Sequence, residues 1–175
     1  MRVAFGSRMS TALLAGALLL GLAPLRARAA VKVGDAFPAL GGGVEAADPG
    51  LPATAGHVVV VDFWASWCAP CKASFPAYNR LAASLAPRGV LIIALSEDED
   101  PAAYAAFLRK LKPTFPVGRD GGHAVAAAAG APTMPTCYVI DRAGRVRAIH
   151  AGYHGDATDA ALRGEIEGLL AEGKS

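Results

Sequence analysis

The sequence predicts an α/β fold: a central mixed β-sheet flanked by helices on both faces, with an N-terminal extension in front of it. Three observations predict it. Val58–Trp64 and Val90–Leu95 are short, almost wholly apolar runs of the kind that cross a sheet covered on both sides. An amphipathic helical stretch lies between them, so the two strands are expected to run parallel through a right-handed crossover. Further on, Thr136–Ile140 and Arg145–His150 flank the turn-forming tetrapeptide Asp141-Arg142-Ala143-Gly144, which adds an antiparallel hairpin and makes the sheet mixed.

The first 29 residues stand apart from this pattern. Arg2 and Arg8 precede an uncharged run from Met9 to Leu25, whose most apolar part is Leu13–Leu22, and Ala27-Arg28-Ala29 is a small-x-small cleavage pattern. Residues 1–29 therefore read as a secretory signal and 30–175 as one domain. The uncharged run just reaches the lower limit of about 17 residues for a bilayer span, so a retained membrane anchor stays open. Without residues 1–29 the chain keeps 146 residues, loses four arginines and no acids, and its net charge moves from +2 to −2. A domain with no basic excess has no electrostatic means of recruiting nucleic acid, and that class is set aside. Export would place the cysteines in an oxidising compartment.

The elements follow in order. Val31–Gly56 is rich in Gly, Pro and Ala, with Gly41-Gly42-Gly43 and Asp48-Pro49-Gly50 as turns, and reads as an arm or hairpin. The Val58–Trp64 strand then feeds a helix from about Ala69 to Leu85, carrying Phe75, Tyr78, Leu81 and Leu85 at helical spacing, with a kink expected at Pro76. After the Val90–Leu95 strand, Asp100-Pro101 supplies a cap and a first-turn proline for a helix that carries Tyr104, Phe107, Leu108 and Leu111. Phe115-Pro116-Val117 reads as a short edge strand, because its proline cannot donate to a ladder. An Ala-rich helix near His123–Ala129 precedes the hairpin, and a last helix runs from about Ala157 to Leu170.

The chemistry is concentrated in Trp67-Cys68-Ala69-Pro70-Cys71, directly after the first strand. A thiol at a helix N-terminus faces unpaired N–H groups and the positive end of the dipole, both of which favour the thiolate. Cys68 is the expected nucleophile. Cys71, one turn deeper on the same face, is the expected resolving thiol. A structural staple is a poor alternative, since so small a loop removes little entropy from the unfolded chain. A zinc site is equally poor: it needs about four ligands, and although His150 and His154 have H-x-x-x-H spacing, no second cysteine pair exists.

Asp62 alternates with Val58 and Val60 on one face of a buried strand, and a buried carboxyl of raised pKa beneath the pair could take the proton of Cys71. Pro135, preceded by Met134 and set immediately before a strand, suggests a special turn, with cis geometry open, whose backbone could pair with an extended substrate; Pro132 competes for this role, and adjacency to the strand favours Pro135. Trp67 and Met134 join Pro135 as expected substrate contacts. Cys137, inside that strand, reads as a small buried hydrophobe. Glu97-Asp98-Glu99-Asp100 reads as acids that cap and complement a helix start, and Lys72 and the four histidines as surface or packing residues.

Val60 through Lys72, with Pro76 following, closely resembles the thioredoxin active-site segment. Met134-Pro135-Thr136 resembles that family's cis-proline site, and Gly144 and Gly152 resemble its final hairpin. The extra helix and strand at about Pro101–Gly118, together with the arm and export signal, resemble the TlpA and ResA branch. The resemblance implies a thioredoxin-like fold with a central helix-strand insertion, and an exported, periplasmic thiol:disulfide oxidoreductase working through Cys68 and Cys71 without a cofactor or metal. It also implies a protein disulfide as substrate, such as an apocytochrome c or a copper-site assembly factor, and a membrane dithiol as electron donor. A monomer is expected. Two other readings stay open: an oxidant that donates disulfides, although Ala69-Pro70 lacks the histidine typical of strong exported oxidants, and a Cu(I)-binding protein using the two thiols.

Overall fold

The computed structural model describes residues 29–47 and 50–172, so the predicted export segment, apart from Ala29, and the first two residues of the expected Asp48-Pro49-Gly50 turn lie outside the described residues. The described chain forms a six-stranded sheet from β1 (Glu45–Ala46), β2 (Val58–Trp64), β3 (Val90–Ser96), β4 (Val117–Arg119), β5 (Thr136–Ile140) and β6 (Val146–Ala151), in the order β1-β4-β3-β2-β5-β6. Helices α1 (Ala69–Leu85), α2 (Pro101–Leu111), α3 (Ala124–Ala129) and α4 (Asp156–Glu172) connect and cover the strands. β2 and β3 pair in parallel from Val58↔Val90 to Trp64↔Ser96, while β2 with β5 and β5 with β6 pair antiparallel. The sheet is mixed, as the sequence predicts.

Every residue of β2 is buried, which is what an apolar run at the centre of a doubly covered sheet requires. Its two-residue period divides the core. Val58, Val60 and Trp64 face α1, α2 and α4, whereas Val59, Val61 and Phe63 pack against α3 and the N-terminal arm. Each fully buried side chain of this size contributes roughly 1.5–3 kcal/mol.

α1 runs as one helix through Pro76, with Phe75, Tyr78, Leu81 and Leu85 buried as the spacing predicts. α2 starts where expected: Asp100 is its N-cap, its side chain accepting the Ala102 N–H at 2.8 Å, and Pro101 opens the first turn. The expected edge strand Phe115-Pro116-Val117 needs correction. The strand is Val117–Arg119, two residues later, and it is not an edge, because Glu45 and Ala46 of the arm pair with its outer side. Pro116 sits just before it and still accepts the Ala94 N–H through its carbonyl. Among the described residues the arm therefore forms no hairpin of its own. It wraps the molecule, bridging Ala36 to Arg145 and Glu45–Ala46 to β4. Gly130 shows how closely it is held: with φ +69° it ends α3, and a Cβ there would collide with Ala30.

Candidate functional site

The chain leaves β2 at Trp64 and turns through Ala65-Ser66-Trp67 into α1, which brings Cys68 to the N-cap position. Cys68 and Cys71 are joined by a disulfide, with Cα atoms 5.3 Å apart. The Sγ of Cys68 also accepts the backbone N–H of Cys71 at 3.2 Å, so a donor the helix cannot use internally is aimed at the sulfur. That donor, together with the helix dipole, stabilises negative charge on Cys68 once the disulfide is opened. Cys68 is 4% exposed and Cys71 is fully buried, the order of accessibility expected of an attacking and a resolving thiol.

Asp98 holds the turn that presents Cys68. Its carboxylate accepts the Ser66 N–H at 3.0 Å and the Ser66 hydroxyl at 2.8 Å, and the Ser96 hydroxyl at 2.7 Å. Several charge-assisted hydrogen bonds to one buried carboxylate make a rigid anchor. Beside it, Glu97 is buried with its Oε2 2.8 Å from His123 Nδ1. Burial pushes the Glu97 carboxyl up to about 7, against the opposing pull of the His123 hydrogen bond. His123 in turn is held above its ordinary value, first by its hydrogen bond to Glu97. Reading Glu97-Asp98-Glu99-Asp100 as helix-capping acids therefore holds only for Asp100, and His123 is more than a surface residue. The partners of Asp98 and Glu97 lie 32 and 26 residues away, beyond the reach of local pattern.

On the α1 side of β2, Asp62 is fully buried and Tyr78, two turns beyond Cys71, donates to its Oδ1 at 3.1 Å. Oδ2 has no partner. Desolvation raises the Asp62 carboxyl well above its ordinary range, and the Tyr78 hydrogen bond only partly offsets this. Cys137 is the cross-strand neighbour of Asp62 and is buried. Burial, reinforced by the charge of Asp62, raises its thiol well above the usual value, so at neutral pH it is a protonated packing group rather than a nucleophile. The alternation of Asp62 with Val58 and Val60 was the sign of this cluster in the sequence; the Tyr78 hydrogen bond and the Asp62–Cys137 pairing depend on how α1 and β5 pack against β2.

The Met134–Pro135 peptide bond is cis, and Pro135 accepts the Gly152 N–H through its carbonyl at 2.7 Å. Met134 and Trp67, which is 70% exposed, line one open groove of about 380 Å³ with Ser66, Glu97, Glu99 and His123. The structure thus places Trp67 and Met134 together beside the turn into α1. A second pocket, of about 260 Å³, lies on the opposite face between Phe37, Leu40, Val59, Val61 and Ile140 and contains no cysteine. Among the described residues no group of three or more His, Cys, Asp or Glu side chains is arranged to hold a metal ion, and no helix is long and apolar enough to cross a membrane.

Comparison with known proteins agrees with this arrangement. The Redoxin family profile matches residues 32–164. The thiol-disulfide oxidoreductase ResA of Bacillus anthracis is 36% identical over 91 residues, covering 52% of this chain and 53% of that protein. ResA of Oceanobacillus iheyensis is 33% identical over 126 residues, covering 69% and 66%. The chain spans about half the length of the first of these relatives. Among solved structures, one assigned as the thiol:disulfide interchange protein DsbE of Chlorobium tepidum superposes with a TM-score of 0.73 at 32% identity, over 81% of this chain and 99% of that one.

Proposed function

The chain belongs to the Redoxin family, in its thioredoxin-like, ResA-type branch, and on that premise we propose that it is an exported thiol:disulfide oxidoreductase that reduces disulfides of particular proteins outside the cytoplasm. The observation that carries this reading is the Cys68–Cys71 disulfide at the start of α1, with a backbone N–H directed at the Cys68 sulfur. In the reduced protein the Cys68 thiolate attacks one sulfur of the substrate disulfide. A mixed disulfide forms, and the other substrate sulfur leaves as a thiolate and takes up a proton. Cys71 then gives its proton to the Asp62 carboxylate and attacks the Cys68 sulfur. The second substrate thiol is released, two electrons have moved to the substrate, and the protein holds the disulfide seen here. The unpartnered Oδ2 of buried Asp62 supports its role as the proton acceptor. Trp67 and Met134 line the groove beside the cysteine turn, and the backbone of the cis Met134–Pro135 bond, next to Met134, is where a substrate strand would be held.

Export follows from the character of residues 1–29, either as a cleaved signal or as a retained anchor. A reductant in an oxidising compartment has to be recharged, which calls for a dithiol donor reached through the membrane. Substrates of the apocytochrome c or copper-site assembly type fit this placement, and a monomer suffices for the chemistry.

Trapping tests the reading. Cys71→Ser leaves the attacking thiol without its resolving partner, so the variant should accumulate a covalent adduct through Cys68 that a reductant releases. A folded Cys71→Ser protein that captures no disulfide substrate contradicts the assignment. The direction of electron flow is read from the reduction potential: a value near about −270 mV marks a reductant and one near about −120 mV an oxidant.

A further inference from the structure

The cysteine pair accounts for exchange but not for the choice of disulfide, and the groove beside it carries information on that choice. Its titratable lining is Glu97, Asp98, Glu99, Asp100 and His123: four carboxyl groups, one imidazole and no lysine or arginine. Two of the acids are already engaged, Asp98 with Ser66 and Ser96, and Asp100 with the N-terminus of α2. The nearby Arg119 is already engaged, its guanidinium bonded to Glu45 and to the carbonyls of Asp98 and Glu99. Glu97 is different. Its side chain is only 2% exposed, Oε2 is bonded to His123, and Oε1 is buried without a partner. Next to Cys68, the Trp67 indole contributes the exposed aromatic surface of the groove.

A buried carboxylate oxygen without a donor is costly, and an indole face attracts cations. One group satisfies both: a guanidinium that lies against the indole and donates to the carboxylate, with an ammonium as the weaker substitute. We propose that this groove binds an arginine or lysine side chain that flanks the reactive disulfide of a protein substrate, and so selects basic segments for exchange at Cys68. The inference rests on the thiol-disulfide exchange reading above. A cation seated against Glu97 favours its charged form, so the preference should strengthen as pH rises from about 6 to about 8. The groups facing Glu97 are His123, Asp98 and Asp120. His123, held above its ordinary value first by its hydrogen bond to Glu97, is the positive charge that competes for that carboxylate.

The test uses the reduced full-length chain and three disulfides: a peptide disulfide with arginine next to its cysteine, the same peptide with glutamine there, and bis(2-hydroxyethyl) disulfide, which is small and neutral. At low salt and pH 7.5 the arginine peptide should react about tenfold faster than the glutamine peptide, the ratio expected of one charge-assisted contact. That ratio should fall to about twofold or less in Glu97→Gln and in wild type at about pH 6, where the Glu97 carboxyl, pushed up to about 7, holds its proton. Glu172→Gln, remote from the groove, should keep it. The pH series on wild type keeps the test decisive if Glu97→Gln does not fold. Reduction of the neutral disulfide with equal rates for the two peptides overturns the groove proposal and leaves the exchange reading standing. No reaction with any of the three overturns both.

Discussion

The two faces of the sheet are built to different standards. On the side covered by α3 and the arm, the buried set is Val59, Val61, Phe63, Ile93, Leu95, Val125 and their apolar neighbours, and the buried Tyr138 hydroxyl finds the Ala129 carbonyl at 3.3 Å. On the side covered by α1 and α2, Asp62 Oδ2, Trp64 Nε1 and the Tyr104 hydroxyl are buried without partners. A core can be built with its buried polar groups paired, as the first face shows. Unsatisfied polar groups cost roughly 1–3 kcal/mol each, so the face beneath the cysteine helix is the less stabilised of the two.

Four substitutions would break or sharpen this contrast. The largest effect belongs to Cys68→Ala, which should abolish exchange with disulfide substrates while leaving the thermal unfolding transition of a well-packed domain in place. Ile93→Ala, on the apolar face, should do the reverse: a loss of roughly 2–5 kcal/mol in denaturant unfolding, with the alkylation rate of Cys68 unchanged. Rates altered along with stability would mean that the faces are not separable.

Asp62→Asn should move both properties in opposite directions. The Asp62 carboxyl is raised by burial, so the folded state binds its proton more tightly than the unfolded chain. That stabilisation is complete below the unfolded pKa of about 4 and is lost as pH rises through the folded value. The asparagine variant should therefore gain on wild type as pH rises, by about 1.4 kcal/mol for each unit between the two pKa values. Its release of the mixed disulfide should slow by roughly 10², which stopped-flow fluorescence of Trp67 can follow. The smallest effect is that of Tyr78→Phe. Losing a hydrogen bond of about 1 kcal/mol to charged Asp62 should shift the pH midpoint of that release upward by less than about one unit.

The same contrast explains what could be read from the sequence. The apolar face and the strands that share it were legible because burial on both sides writes itself into continuous runs such as Val58–Val61 and Val90–Leu95. The Cys68 N-cap, the Asp100 cap and the hairpin over Thr136–Ala151 were legible because their signals are local. The interior placement of Val117–Arg119 was not, since it depends on Glu45–Ala46, more than 70 residues earlier. Asp98 and Glu97 were misread for the same reason: four acids before a proline look like a helix start. Only the folded chain shows that Asp98 grips Ser66 and Glu97 meets His123. Features that serve the reactive face are assembled across distance, which is why they leave a weaker trace than the core.

The central claim is that the Cys68 sulfur ionises readily because α1 begins there and directs the Cys71 N–H at it. The direct measurement is the rate of iodoacetamide alkylation of the reduced protein across a pH series, with the modified residue identified by mass spectrometry. The midpoint for Cys68 should fall at least about one unit below the ordinary thiol value of about 8.5. A midpoint at or above that ordinary value would contradict the account.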